Sequence, residues 1–128
     1  MGNGTSIGRV RGLGAAHHGA HHWLVQRFTA IGNVVLMSWL LVSLIMLGDY
    51  GYGNVVKWLS QPLSATAMIL LVFSLFWHAR LGLQVLIEDY IHDAGSKFAA
   101  ISALNLATIG GGAFGIFSVA TLAFGGNA

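Results

Sequence analysis

Three long stretches of the chain carry no Asp, Glu, Lys or Arg: Phe28 to Gly48, Trp58 to Ala79, and Phe98 to Ala128. Each reaches the roughly 20 apolar residues that a spanning helix needs. Polar, turn-forming residues punctuate them. Gly48-Asp49-Tyr50-Gly51-Tyr52-Gly53-Asn54 follows the first stretch, and Asp93-Ala94-Gly95-Ser96-Lys97 precedes the third. The pattern predicts an all-α membrane protein with three transmembrane helices, over about 22–47, 61–90 and 97–124. A short amphipathic helix over 55–59, capped by Asn54, is expected on the membrane surface. Pro62 suits the first turn of the second long helix. The run Gly110-Gly111-Gly112 predicts either a close helix–helix approach or a kink. The expected organisation is a glycine-rich cytoplasmic segment over 1–21 and one compact three-helix membrane domain over 22–128.

Composition narrows the class. The 128 residues are 55% hydrophobic and only 8% charged, against about 25% charged in a soluble domain. No room remains for a soluble domain. The net charge of +2 comes from scattered basic residues, which argues against a nucleic-acid partner. With no cysteine, the chain by itself makes neither disulfides nor iron–sulfur ligation. Arg9 and Arg11 are followed by Gly, Ala and His rather than by an apolar run. That predicts insertion without signal processing, as in a bacterial inner membrane. Arg9, Arg11, Arg27 and Lys97 outweigh the lone Lys57 of the first loop. The N-terminus and the 90–97 turn are therefore expected in the cytoplasm, with His22, Arg27, Asp89 and Tyr90 meeting at that surface.

The chemistry concentrates in the second span. His78, Gly82, Val85 and Asp89 recur at steps of four, three and four, which is one helical stripe. Asp89 stands roughly 16 Å beyond His78 along the axis. An ionisable side chain within the membrane faces a bundle interior or a cavity. Three roles compete for His78: a hydrogen bond to a neighbouring helix, a proton path, or ligation of a metal cofactor through neutral imidazole. Gly82 favours the third, because a flat macrocycle pressed on a helix needs a missing side chain one turn from its ligand. If the cofactor is haem, a second axial ligand is required. No other histidine lies at that depth, so a partner chain would supply it.

Asp89 and Tyr90 form a second constellation. A phenol backed by a carboxylate can donate to a quinone carbonyl and supply protons. The plainer reading is an interfacial tyrosine beside a solvated helix end with Glu88 and Asp93, and the residues alone favour it. His22 and Arg27 can neutralise haem propionates; an ordinary positive-inside anchor explains Arg27 equally. His17/His21 and His18/His22 pair at zinc-compatible i, i+4 spacing, but Gly19 weakens the helix there and no acid or cysteine completes a site.

The run from His78 through Gly82, Gln84 and Asp89 to Tyr90 resembles the second-helix signature of the D-type succinate dehydrogenase membrane anchors. The run His22-Trp23-Leu24-Val25-Gln26-Arg27-Phe28-Thr29-Ala30 is similar to that family's entry into helix one. Chain length and layout match as well. The resemblance implies a subunit that is not catalytic alone, within a four-subunit succinate:ubiquinone oxidoreductase. Its partners would be a flavoprotein, an iron–sulfur subunit and a C-type anchor subunit sharing one haem b. It implies His78 as one axial haem ligand, Tyr90 and Asp89 at the ubiquinone site, and His22 and Arg27 near the propionates or quinone pocket. Arg80 has no assigned role in the pattern; it is expected to snorkel to the surface or to meet a propionate. A menaquinone-linked fumarate-reducing anchor, and a non-redox structural or transport subunit, are the alternatives.

Overall fold

In the computed structural model, residues 16–125 are described. The glycine-rich segment 1–15 and the side chains of His17 and His18 lie outside that description. Four helices follow in order: α1 (Ala16–Leu47), α2 (Tyr52–Leu59), α3 (Pro62–Tyr90) and α4 (Ala94–Gly125). Three of them, α1, α3 and α4, are long and apolar enough to cross a membrane.

Helix ends follow local chemistry. α1 begins at Ala16 rather than near residue 22, because a single Gly19 costs only about 1 kcal/mol in a helix. The boundary expected at residue 21 therefore falls inside a helix. α1 stops at Gly48, whose φ of 69° is the left-handed conformation that glycine takes without steric cost. Asp49 then organises the loop: its Oδ1 accepts from Gly51 N at 2.9 Å and its Oδ2 from Asn54 Nδ2 at 2.6 Å. Asn54 consequently sits within α2 instead of capping it. Pro62 occupies the first turn of α3. Asp93 Oδ2 accepts from Ser96 N at 2.8 Å, which starts α4 three residues before Lys97. Those hydrogen bonds from the Ser96 backbone and side chain hold the Asp93 carboxyl below its usual 3.8.

α3 lies in the middle of the molecule. α1 packs on one side of it and α4 on the other, and α1 and α4 do not touch each other among the described residues. The expected compact bundle is instead an open row of helices. Each of the two antiparallel seams has its own register. On the α1 side, His78 meets Thr29, Ser74 faces Gly32, and Gly82 faces Gln26. On the α4 side, Arg80 meets Asn105, Phe76 packs over Gly111 and Gly112, and Val72 packs on Gly115. α4 runs unbroken through its triple glycine. A Cβ on Gly111 would stand 2.6 Å from the Phe76 ring, and one on Gly115 2.9 Å from Val72 Cγ1. The glycines therefore serve close approach. α2 tucks in Val56 and Leu59, and its Trp58 stacks on Trp39 with centroids 5.8 Å apart.

The registers also set a level. Counting along the antiparallel seams places Arg27 of α1 opposite Arg80 of α3, with Asn105 of α4 beside Arg80. From that layer toward Leu47, Pro62 and Gly125, the three helices carry no charged residue. Each run measures roughly 27–30 Å at 1.5 Å per residue, close to the hydrocarbon thickness of a bilayer. His78 lies about half a turn on the apolar side of this charged layer. The stretch of α3 from Arg80 to Tyr90 continues roughly 15 Å beyond it.

Candidate functional site

His78 is half-buried between α1 and α3. Its Nδ1 lies 3.1 Å from Thr29 Oγ1. Thr29 Oγ1 also lies 2.9 Å from Val25 O and 3.0 Å from Gln26 O, within its own helix. Nε2 of His78 has no hydrogen-bond partner among the described residues. One turn on, a Cβ at Gly82 would rest 3.8 Å from Gln26 Nε2, an ordinary contact. The packing of this chain does not itself demand glycine there.

α1 answers α3 with a polar stripe of its own. His22, Gln26, Thr29 and Asn33 recur at four, three and four residues, and Gln26 and Thr29 of that stripe touch α3. Nε2 of His22 and Oδ1 of Asn33 are buried with no hydrogen-bond partner among the described residues. An unpaired buried atom of this kind costs roughly 1–3 kcal/mol, so both can take a hydrogen bond from a further group. Arg27 is exposed, with Cζ 5.4 Å from the Trp23 ring centroid, a cation–π distance.

Asp89 and Tyr90 stand at the far end of α3, both exposed, Tyr90 at 79%. Their neighbour Glu88 accepts from Gln84 Nε2 at 2.8 Å, and its backbone carbonyl accepts from Lys97 Nζ at 3.2 Å. Lys97 thereby supplies the cation that a helix C-terminus rich in acids needs. The register separates groups expected to meet at one surface: Arg27 lies level with Arg80, roughly 14 Å short of Asp89 along the axis.

Arg80 is held at the α3–α4 seam. Its Nε donates to Asn105 Oδ1 at 2.6 Å, and its Cζ stands 5.4 Å from the Trp77 ring centroid. Two helical steps turn a side chain by about 200°, so Arg80 faces α4 while His78 faces α1. An apolar groove of about 470 Å³, lined by Phe73, Trp77, Ile109 and Ile116 among others, opens on the Arg80 side and away from the His78–Thr29 contact. Among the described residues no three of His, Cys, Asp and Glu gather around one point. A metal held at His78 would need its remaining donors from beyond the described residues.

Sequence reasoning missed Thr29, Gln26, Asn33 and Asn105. The four-three-four spacing of the α1 stripe was the available signal.

The sequence profile of the succinate dehydrogenase/fumarate reductase transmembrane subunit family matches residues 1–112. The chain belongs to this family. The match spans α1, α2, α3 and α4 as far as Gly112, and so includes every residue of the His78 and Tyr90 constellations. A succinate dehydrogenase hydrophobic membrane anchor subunit of Rickettsia bellii is 36% identical over 105 residues, covering 82% of this chain and 84% of that protein. The corresponding subunit of Rickettsia conorii is 34% identical over 88 residues, 68% of this chain and 70% of that protein. A succinate dehydrogenase membrane anchor subunit of Reclinomonas americana is 30% identical over 94 residues, 71% and 78% of the two chains. No solved structure matches. For a transmembrane subunit of this family, the open row of helices leaves both flanks of α3 partly uncovered.

Proposed function

We propose that this chain is the hydrophobic membrane anchor subunit of a succinate dehydrogenase. In this reading His78 is an axial ligand of a haem b shared with a C-type anchor subunit, and Tyr90 and Asp89 belong to the ubiquinone site. The observation that supports the haem assignment is the state of the imidazole: Nδ1 is engaged by Thr29, and no hydrogen bond to Nε2 is found among the described residues. A neutral ring with one nitrogen committed and the other free is the arrangement that metal ligation uses.

When bound, haem b supplies a one-electron redox centre at membrane depth. The chain holds it through His78 Nε2, beside a helix surface left low by Gly82. Arg27 and His22, about half a turn and two turns from the level of His78, would offer N–H donors to its propionates. At the end of α3 the Tyr90 phenol donates a hydrogen bond to a ubiquinone carbonyl. The exposed Asp89 carboxyl exchanges protons with water beside it. Electrons come from the iron–sulfur subunit, which receives them from succinate oxidised at the flavoprotein. Two electrons and two protons convert the quinone to quinol.

The family description covers both reaction directions, and the relatives named above are succinate dehydrogenase subunits. Those names favour succinate oxidation over a menaquinone-linked fumarate reductase. The basic residues near the N-terminus and at Lys97 favour the cytoplasmic side for both, in keeping with a complex in a bacterial inner membrane. His78→Gln in the purified complex is expected to remove or shift the b-type band of the reduced-minus-oxidised spectrum. An unchanged band overturns the ligand assignment.

A further inference from the structure

Three contacts converge on the Thr29 hydroxyl, and they decide which way its proton points. Val25 O and Gln26 O, at 2.9 and 3.0 Å, are carbonyl oxygens and can only accept. The hydroxyl has one proton. If that proton went to His78 Nδ1, two carbonyl oxygens would face a hydroxyl lone pair at hydrogen-bond distance, which is repulsive. With the proton shared between the carbonyls, as threonine back-bonding in helices does, the hydroxyl turns a lone pair toward the ring. His78 Nδ1 at 3.1 Å must then carry the hydrogen and donate it. A neutral imidazole with its proton on Nδ1 has its lone pair on Nε2.

We infer that Thr29 is a positioning residue for His78: its hydroxyl accepts the Nδ1 proton, fixes the Nε2-basic tautomer and aims Nε2 at the haem iron. This rests on the reading of His78 as a haem ligand. The seam around the contact is built to hold it. Gly32, one turn along α1, faces Ser74, with a Cβ position an ordinary 3.7 Å from Ser74 Oγ. Ser74 Oγ also reaches Thr29 O at 3.4 Å. Both contacts tie α1 to α3 at Thr29, and no carboxylate or backbone carbonyl of α1 competes for Nδ1 among the described residues. A neutral hydroxyl is a weaker acceptor than the carboxylate or carbonyl that usually holds a ligating histidine. It leaves the imidazole a modest donor to iron.

The test compares haem redox and retention in purified complexes carrying Thr29→Val and Thr29→Ser. Val keeps the volume and loses the acceptor; Ser loses the methyl and keeps the acceptor. Thr29→Val is expected to raise the haem midpoint potential, because the imidazole donates less to ferric iron. It should also speed transfer of haem to an added scavenger protein by about tenfold, the lower end of the loss seen when a ligand's supporting partner is removed. Thr29→Ser should match the parent in both. A Val complex indistinguishable from the parent, or a Ser complex shifted as far as Val, overturns the role of Thr29. If Val blocks assembly, Thr29→Cys, with a poorer acceptor of similar size, must raise the potential, and an unmoved potential overturns the proposal. His78→Gln run in parallel separates the two levels. A b-type spectrum unchanged there removes the ligand reading and this proposal with it. A spectrum lost there but unmoved in Thr29→Val removes only the proposal.

Discussion

Tyr90 and His78 sit on one helix in opposite surroundings. The phenol is open to whatever docks at the end of α3, while the imidazole is clasped by a second helix. Their tests differ accordingly. Tyr90→Phe would remove the proposed hydrogen bond to the quinone and keep the aromatic ring. Quinone reduction is expected to fall up to about tenfold, since such a bond is worth roughly 0.5–1.5 kcal/mol, while succinate oxidation by an artificial dye holds steady. Equal loss in both assays would count against Tyr90 at the quinone site. His78, Asp89 and Tyr90 stood out as candidates in the sequence because an ionisable group in or beside an apolar run is conspicuous; the roles proposed for them came from the family resemblance. Thr29 and Asn105 were not. Neutral polar residues are common in membrane helices, and what they do depends on the register between two segments, which neither segment encodes alone.

Helices show the same division between what periodicity reveals and what contact decides. The three spans were legible because charge is excluded from hydrocarbon; the start of α1 moved because Gly19 is tolerated within a helix, and that of α4 because Asp93 accepts from Ser96 N. The triple glycine had two readings until Phe76 was seen lying over it. Gly115→Leu drives a side chain into the stiff, β-branched Val72 and is expected to destabilise the α3–α4 pair by about 1–3 kcal/mol. Nothing lies within 4 Å of a Cβ at Gly110, so Gly110→Ala should leave stability equal or higher. Thermal denaturation of the two complexes checks the contrast. At the start of α4, Asp93 titrates below its usual 3.8 in the folded chain. Its capping contribution is thus present above that value and fades as pH falls through the folded pKa. Amide exchange over 94–97, corrected for intrinsic rates, should quicken in that acid window, and Asp93→Ala should be fast at every pH.

At the scale of the molecule, α3 has neighbours on two sides and uncovered apolar surface between them. Leu71, at 2% exposure, is the most enclosed hydrophobic side chain among the described residues. So small an interior is expected of a chain that completes its core against other subunits. Topology is testable directly, because the chain has no cysteine and any introduced thiol is unique. An impermeant maleimide should label His92→Cys from the cytoplasmic side and Asn54→Cys only from the opposite side; the reverse pattern would invert the proposed orientation. The shared level of Arg27 and Arg80 has one further consequence, for the lipid. Three helices that leave hydrocarbon at a common plane give the subunit a preferred bilayer thickness near 30 Å. In longer-chain lipids the membrane must thin around it or the helices must lean, at a cost of fractions of a kcal/mol for each ångström. Acyl-chain length becomes a mechanical load applied at the plane of the two guanidinium groups, half a turn from His78.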